Sequence, residues 1–352
     1  MPDITLVVVN YFSARLTRDA IASARASTSA ALHAVVVDNS SDEDERRALE
    51  SAGADEVIVS PDNAGYAGGA NRGVAVATTR VVVVSNPDVV FSEGCIDLLA
   101  ERIRGDVAVA GPLFHWDAGG KWLLPPADWL DVREKVLRVL ASRFAGAARR
   151  RARQRLRRRI DFWRRREPGP ADALSGAVMA LDRRRLEEVG GFDERFALYF
   201  EEIDLIRRLR ARGGAAWYVP AARCCHLYDQ SAGSEPSSHE KFAASEELYL
   251  KRWVPLARVL GRLERVAAHD GSGFASIEPA DPIPLPDAGR EWLVEASPLL
   301  SFESAAGCLA SGSTIVLPEE IWAGCRSPAL YLRVVDPVSL TIGGRFVMRR
   351  RE

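Results

Sequence analysis

The chain has 352 residues, 47% of them hydrophobic and 27% charged, with a formal net charge of −1. That composition excludes a disordered, collagen-like or disulfide-stapled protein, and the length allows one large α/β domain with a small appendage. The near-neutral total hides an asymmetry, because residues 149–166 hold eleven Arg against one Asp and leave the rest of the chain acidic. Such a split points to an anionic partner at one surface. Five cysteines, Cys95, Cys224, Cys225, Cys308 and Cys325, are odd in number and lack zinc-site spacing, so reduced thiols of a cytosolic protein are expected. No apolar run approaches a bilayer-spanning length, and Met1-Pro2-Asp3 leads into an apolar strand without the basic start of a secretory signal.

The first 110 residues alternate short β-rich runs with helical patterns. Strands are predicted over residues 4–9, 34–38, 56–59, 81–85 and 107–110, and helices over 14–26 and 42–52. The run of valines at 81–84 is expected to be a central strand covered on both faces. This alternation predicts a mostly parallel sheet with helices on both sides, and ligands of such sheets bind beyond the carboxyl ends of the strands. Residues 112–130 read as loop, and 131–166 as one long helix halted by Pro168-Gly169-Pro170. A strand follows over 173–181, then a short helix over 182–189 ended by Gly190-Gly191, a helix over 201–212, a strand over 215–219 stopped by Pro220, and an amphipathic helix over 239–253. The expected organisation is an α/β domain at 1–265 carrying a basic helical insertion at 131–170, a proline-marked linker at 266–289, and a small β-rich unit at 290–352.

Several clusters could carry chemistry. Asp38-Asn39-Ser40-Ser41 ends the second strand, where an acid can accept from a base or ribose, or can simply make an Asx turn. Between Asp62 and Gly73 lies a glycine-rich strand–helix turn without dinucleotide or P-loop spacing, whose backbone could approach a phosphate. Asn86-Pro87-Asp88 follows the valine strand, so Asp88 stands where a divalent cation could be held, although the tripeptide is also strong turn chemistry. Glu201, Glu202 and Asp204 crowd three carboxylates into four residues beside Tyr199 and Phe200. Like charges in a half-buried place disfavour ionisation, which marks a candidate general base. On a helix Glu201 and Glu202 cannot face the same way, so Glu202 can point at a substrate while Glu201 or Asp204 pairs with Arg208. His226 closes the run Ala222-Arg223-Cys224-Cys225.

Taken in order, these motifs resemble one known family. They are Val8-Val9-Asn10-Tyr11, Val37-Asp38-Asn39-Ser40, Asn63-x-Gly65-Tyr66-x-Gly68-Gly69-x-Asn71-x-Gly73, Asn86-Pro87-Asp88, Ser175-Gly176, Gly190-Gly191-Phe192-Asp193-Glu194, Phe200-Glu201-Glu202-x-Asp204-Leu205-x-x-Arg208, and Val219-Pro220 before His226. The set is similar to the inverting, metal-dependent family 2 glycosyltransferases of GT-A fold, in particular the bacterial rhamnosyltransferase-like group, over residues 4 to about 253. The resemblance implies that Asn10, Asp38, Asn63, Gly65, Gly69, Asn71, Asn86 and Asp88 bind a nucleoside diphosphate sugar. It implies that Asp88 and His226 hold Mg²⁺ or Mn²⁺, that Glu202 deprotonates the acceptor hydroxyl, and that Ser175, Gly176, Asp204 and Arg208 support the site. Two positions depart from the family pattern. Glu202 replaces the usual Asp, which makes Glu201 and Asp193 the substitutes for the base, and Asn86 replaces the first Asp of D-x-D, which puts more weight on His226.

The resemblance also implies the partners: a dTDP- or UDP-sugar donor and a lipid-linked or glycan acceptor, with L-rhamnose the first choice and galactofuranose or another hexose the alternative. In residues 131–166 Leu137, Val139, Leu140, Phe144, Leu156, Ile160, Phe162 and Trp163 interleave with arginines. A basic amphipathic helix of this kind is expected to lie on an anionic membrane surface, giving a cytoplasmic enzyme peripheral to the inner face of the plasma membrane. No nucleic-acid readout motif accompanies the charge, so nucleic acid is not an expected partner. A nucleotidyltransferase is disfavoured because no basic glycine-rich signature follows the first strand. The reading from another class is a carbohydrate-binding protein without turnover. Acceptor recognition and contact within a homo-oligomer are the two roles open to the C-terminal unit.

Overall fold

The computed structural model describes residues 3–227, 238–256, 260, 263 and 273–350. Of the expected linker, residues 266–272 lie outside that set. Strands β1 (Ile4–Asn10), β2 (Leu32–Asp38), β3 (Glu56–Val59) and β4 (Val81–Ser85) form a parallel half-sheet in the order β3-β2-β1-β4. Every residue of β1 and β4 is buried, the result expected for apolar runs covered on both faces. Helices α1 (Ala14–Ala26), α2 (Glu43–Glu50) and α4 (Cys95–Arg102) pack on one face. Helices α3 (Gly65–Val76), α7 (Arg183–Glu188) and α8 (Glu201–Ala211) pack on the other. Gly69 and Gly73 let α3 lie directly on the sheet, since a Cβ at either would strike Val9 or Val7.

The second half of the sheet is mixed. Strand β8 (Val178–Asp182) inserts antiparallel between β4 and β6 (Val107–His115), and β9 (Ala215–His226) runs parallel to β6. The short strand β5 (Val89–Phe91) follows β4 in the chain but pairs with the far end of β9 at the sheet's edge. The turn holding Asn86-Pro87-Asp88 therefore crosses from the sheet's centre to its edge. The dipeptide strand β7 (Gly169–Pro170) also pairs with β9.

Both β6 and β9 run longer than the sequence suggests. Pro220 does not end β9, because the register between β6 and β9 shifts after Pro112, where Val219 faces Pro112 and Arg223 faces Leu113. The intervening residues bulge, and a proline in a bulge forfeits no ladder hydrogen bond. The expected single helix at 131–166 is two helices, α5 (Val132–Ala141) and α6 (Ala145–Arg164). Helix α9 (Ser238–Trp253) follows. All five cysteines are free and buried, with Cys95 Sγ 3.3 Å from Cys224 Sγ.

A five-stranded sheet fills the C-terminal part. Its order is β10-β16-β15-β12-β13, from β10 (Ala275–Ser276), β12 (Trp292–Ser297), β13 (Ala306–Ala310), β15 (Ala329–Val335) and β16 (Ile342–Arg349). The pair β11 (Ile283–Pro284) and β14 (Thr314–Ile315) and helix α10 (Glu319–Gly324) lie beside it. The C-terminal sheet begins within the stretch expected to be linker.

This sheet is not a loosely tethered appendage. Leu123 exchanges backbone hydrogen bonds with Gly307 at 2.8 Å each way, and one apolar core runs from Phe114, Trp116 and Trp122 into Val294, Leu332 and Met348. Helix α6 is the strap between the two parts. Trp163 of α6 packs flat where Gly307 has no side chain and donates to the Leu124 carbonyl at 2.9 Å. Arg159 of α6 and Arg333 of β15 both donate to Glu295, a fully buried carboxylate of β12. Removing one member of a buried ion cluster strands the others without solvent. Glu295→Ala is therefore expected to cost about 3–5 kcal/mol of unfolding free energy in urea titrations. Cutting the surface pair Arg184–Glu188 in the same way is expected to leave the midpoint unchanged.

Candidate functional site

The site is organised by the start of α8. Tyr199 and Phe200 both take left-handed backbone conformations, with φ of 65° and 71°. Two successive non-glycine residues there are strained and stand only where the surroundings impose them. The twist delivers Glu201 into the protein and leaves Glu202 half-buried beside it. Oε2 of each carboxyl is buried and accepts no hydrogen bond among the described residues. An unpaired buried carboxyl oxygen is costly and uncommon, so the pair calls for an explanation.

The neighbours of the pair come from distant parts of the chain. Glu202 packs against Gly176, where a side chain's first carbon would lie 3.5 Å from its Cβ. The Tyr66 hydroxyl donates to the Gly176 carbonyl at 2.6 Å. Loss of solvent raises the pKa of Tyr66 well above its ordinary value, and the charges of Glu201 and Glu202 raise it further. The charges of both carboxylates thus reach one phenol, although their side chains leave the helix about 100° apart.

Burial pushes Glu201 well above the ordinary carboxylate range, and the neighbouring charge of Glu202 adds to this. Burial raises Glu202 to about 7, opposed by backbone N–H groups of residues 200, 202 and 203 at the helix start. Those amides favour the ionised form of Glu202. Both carboxyls are thus pushed up, and the helix-start amides make Glu202 the one whose ionised form the surroundings favour.

The second cluster sits at the turn from β4 to β5. Asn86 donates its backbone N–H to the Ala177 carbonyl at 2.9 Å, which ties this turn to the Ser175–Ala177 segment beside Glu202. Val89 lies opposite His226 in the β5–β9 ladder, and Leu227 N–H donates to the Asp88 carbonyl at 3.0 Å. Asp88 is 1% exposed, and its Oδ1 lies 3.3 Å from His226 Nε2. One carboxylate and one imidazole fit a divalent cation that takes its other ligands from a diphosphate and water. The described residues contain no group of three His, Cys, Asp or Glu side chains that could hold a metal by themselves.

The remaining candidates divide between ligand-facing and structural positions. Asp38 is fully buried, and its carboxylate accepts from Asn10 Nδ2 at 3.1 Å, Ser40 N–H at 3.0 Å and Ser40 Oγ at 2.9 Å. Asn10 also donates to Glu45 and accepts from Ser13 and Thr17, so it organises the ends of β1 and β2 instead of offering free groups to a donor. Asn63 Oδ1 accepts from Gly65 N–H at 3.0 Å and shapes the turn into α3. Gly65, at φ 67°, offers its carbonyl to Asn39, while Gly69 is needed for packing. Asn71 exchanges hydrogen bonds with the Phe192 backbone and donates to Glu194 at 2.8 Å. It latches α3 to the Gly190–Glu194 loop.

Asp193, the alternative base expected from the sequence, is held in ion pairs. Arg195 and Arg252 both contact its carboxylate, and the Arg195 hydrogen bonds are the main cause that holds its pKa down to about 2. A carboxylate so stabilised as an anion has little affinity for a proton. Asp204 is fully buried and accepts from Arg208 and Trp253, each at 2.7 Å, while Arg208 also donates to the Val189 and Gly191 carbonyls. Asp204 and Arg208 brace the loop before the carboxylate pair. Tyr66 is the site residue not singled out from the sequence. Its signal was an aromatic side chain set among glycines that otherwise exist for close packing.

Residues 2–254 match the family model described as glycosyltransferase like family 2. Over 175 residues the chain is 30% identical to the N-acetylglucosaminyl-diphospho-decaprenol L-rhamnosyltransferase of Mycobacterium tuberculosis, in strains CDC 1551 and H37Rv alike. The match takes in 45% of this chain and spans 50% of the length of those relatives. Among solved structures, a Pyrobaculum calidifontis mannosyltransferase in complex with GDP-Man and Mn²⁺ aligns at 16% identity and TM-score 0.47, over 74% of this chain and 68% of the other. GalNAc-T7 with UDP, GalNAc and Mn²⁺ aligns at 17% identity and TM-score 0.45, over 70% and 48%. The family model covers most of the chain, from the first strand to the end of α9, and the chain belongs to the family 2 glycosyltransferases.

Proposed function

We propose that this glycosyltransferase moves a sugar, with inversion, from a nucleoside diphosphate sugar to an acceptor hydroxyl, and that Glu202 is the base. The observation that carries this reading is the Glu201–Glu202 pair, whose Oε2 atoms are buried and unpaired and whose pKa values are raised. Glu202 takes the acceptor proton on Oε2 while the acceptor oxygen bonds to the anomeric carbon. The carbon–oxygen bond to the diphosphate breaks on the opposite face, and its electron pair leaves with the diphosphate. Glu201 keeps the neighbouring proton and so lets Glu202 remain ionised. Asp88 and His226 would hold Mg²⁺ or Mn²⁺, which supplies charge stabilisation for the departing diphosphate. Tyr66 holds the Gly176 carbonyl and so fixes the wall against which Glu202 rests.

For the substrates we infer dTDP-L-rhamnose as donor and a lipid-diphosphate-linked sugar as acceptor. The support is the name of the mycobacterial relatives, half of whose length this chain spans. Another hexosyl donor is the next choice. Release of nucleoside diphosphate from a panel of nucleotide sugars, with Mn²⁺ or Mg²⁺ and a lipid-linked acceptor, tests the reading.

Glu202→Gln is expected to lower kcat by about 10²–10⁴-fold, with donor affinity by calorimetry unchanged. A carbohydrate-binding protein would show no turnover for this substitution to remove. The pH dependence follows from the base's protonation. As pH falls through about 7 Glu202 gains a proton, so kcat/KM is expected to drop towards tenfold per unit below that value. The stability effect has the opposite sense. A carboxyl whose folded pKa is raised contributes stability that is present below its ordinary value of 4.5 and lost as pH rises through about 7. Glu202→Gln is therefore expected to raise Tm relative to the parent above pH 7, and the difference should vanish in acid.

A further inference from the structure

The arginines of α6 fall into two stripes. Arg151 contacts Glu134 and Glu303, Arg155 contacts Asp128, and Arg159 contacts Glu295. These arginines are consumed in holding the fold together, so the basic block is not one uniform surface. Arg149, Arg153 and Arg157 stand two residues out of phase with that stripe, about 200° away around the helix. No anionic partner is found for them, or for Arg150, among the described residues. These four line a groove of about 950 Å³, and its facing wall is the C-terminal sheet, which adds Arg345 and Arg333, the latter already paired with Glu295. No residue of the groove belongs to the carboxylate pair, the Asp88–His226 cluster or the glycine-rich turn.

Guanidinium groups converging on one concavity repel each other unless an anion lies between them, and their planar forks suit phosphate oxygens. The surroundings choose among phosphate sources. Leu140, in the last turn of α5, and Phe144, the residue before α6, come ahead of the groove in the chain, and Phe144 is 60% exposed; Val338 is 75% exposed and Ile342 lines the far wall. A basic hollow beside exposed apolar side chains matches the headgroup layer of an anionic bilayer, where charge meets phosphate and the apolar groups enter the acyl boundary. We propose that this groove docks the phosphates of anionic phospholipid headgroups, and that the C-terminal sheet serves to build its second wall. This goes beyond the transferase reading and does not depend on which sugar is moved.

The test is co-sedimentation of the full chain with phosphatidylcholine vesicles, with and without phosphatidylglycerol. The protein is expected to pellet with the anionic vesicles alone and to be released by high salt. The triple variant Arg149→Glu/Arg153→Glu/Arg157→Glu is expected to lose at least about tenfold in vesicle affinity. Arg345→Glu, nearly two hundred residues away in sequence but on the facing wall, should weaken binding in the same direction. It also keeps the proposal testable if the triple variant misfolds by circular dichroism. Arg184→Glu, on α7 and outside the groove, should bind as the parent does. The proposal is overturned by equal binding to neutral vesicles, by variants that bind unchanged, or by a protein that takes up inorganic diphosphate or RNA in the groove and ignores vesicles. Nucleoside diphosphate release in solution, the readout for the transferase, is expected to persist in these variants, so failure of one reading is distinguishable from failure of the other.

Discussion

Two neighbouring carboxylates withdrawn from water are the constraint around which this molecule is arranged. Charge without solvent is expensive, and a second like charge beside it makes full ionisation worse. The chain meets that cost with a strained entry into α8, at Tyr199 and Phe200, and with the helix-start amides that favour the charge on Glu202. Asp204, clasped by Arg208, Arg252 and Trp253, holds the same helix from its far side. Asn71 and Arg208 fasten the Gly190–Glu194 loop that leads into it. The result is a carboxylate that both retains basicity and is fixed in place, the two properties a proton acceptor needs.

The sheet supplies the other half of the site by its connectivity. After β4 the chain does not turn into another parallel unit but crosses to the edge strand β5, which pairs with the end of β9. That single pairing puts Asp88 beside His226 across more than a hundred residues of sequence. The same turn hydrogen-bonds to Ala177, whose neighbour Gly176 touches Glu202. Carboxylate base and cation-binding candidates are thus linked through backbone, which is stiffer than any chain of surface side chains.

Helix α6 joins the α/β body to the C-terminal sheet by a division of labour. One stripe of its arginines is paired with acids and carbonyls, and the opposite stripe faces a hollow. Arginine suits both tasks, because it stays charged when buried and its long apolar stem packs well. The insertion is therefore part of the core's continuity, with Trp163 and Ile160 packed against Leu293 and Val335, as well as a source of surface charge.

The strands, the helices, the glycine-rich turn and the acidic start of α8 were legible in the sequence because each rests on local rules of periodicity, turn chemistry and propensity. So was the family, since its motifs fall in a fixed order. Three things were not legible. Pro220 reads as a strand end, yet β9 passes through it, because a bulge in the neighbouring strand's register removes the hydrogen bond that proline cannot make. Asp193 reads as a candidate base, yet Arg252, 59 residues away in sequence, joins Arg195 in holding it as an anion. The arginine block reads as one basic face, yet acids from residues 128 to 303 pair with Arg151, Arg155 and Arg159. By itself the sequence determined which side chains could do chemistry and which elements carry them. The tertiary structure alone decided which of those side chains lose their water and which find a counter-charge, because solvation and ion pairing depend on neighbours brought in from elsewhere in the chain.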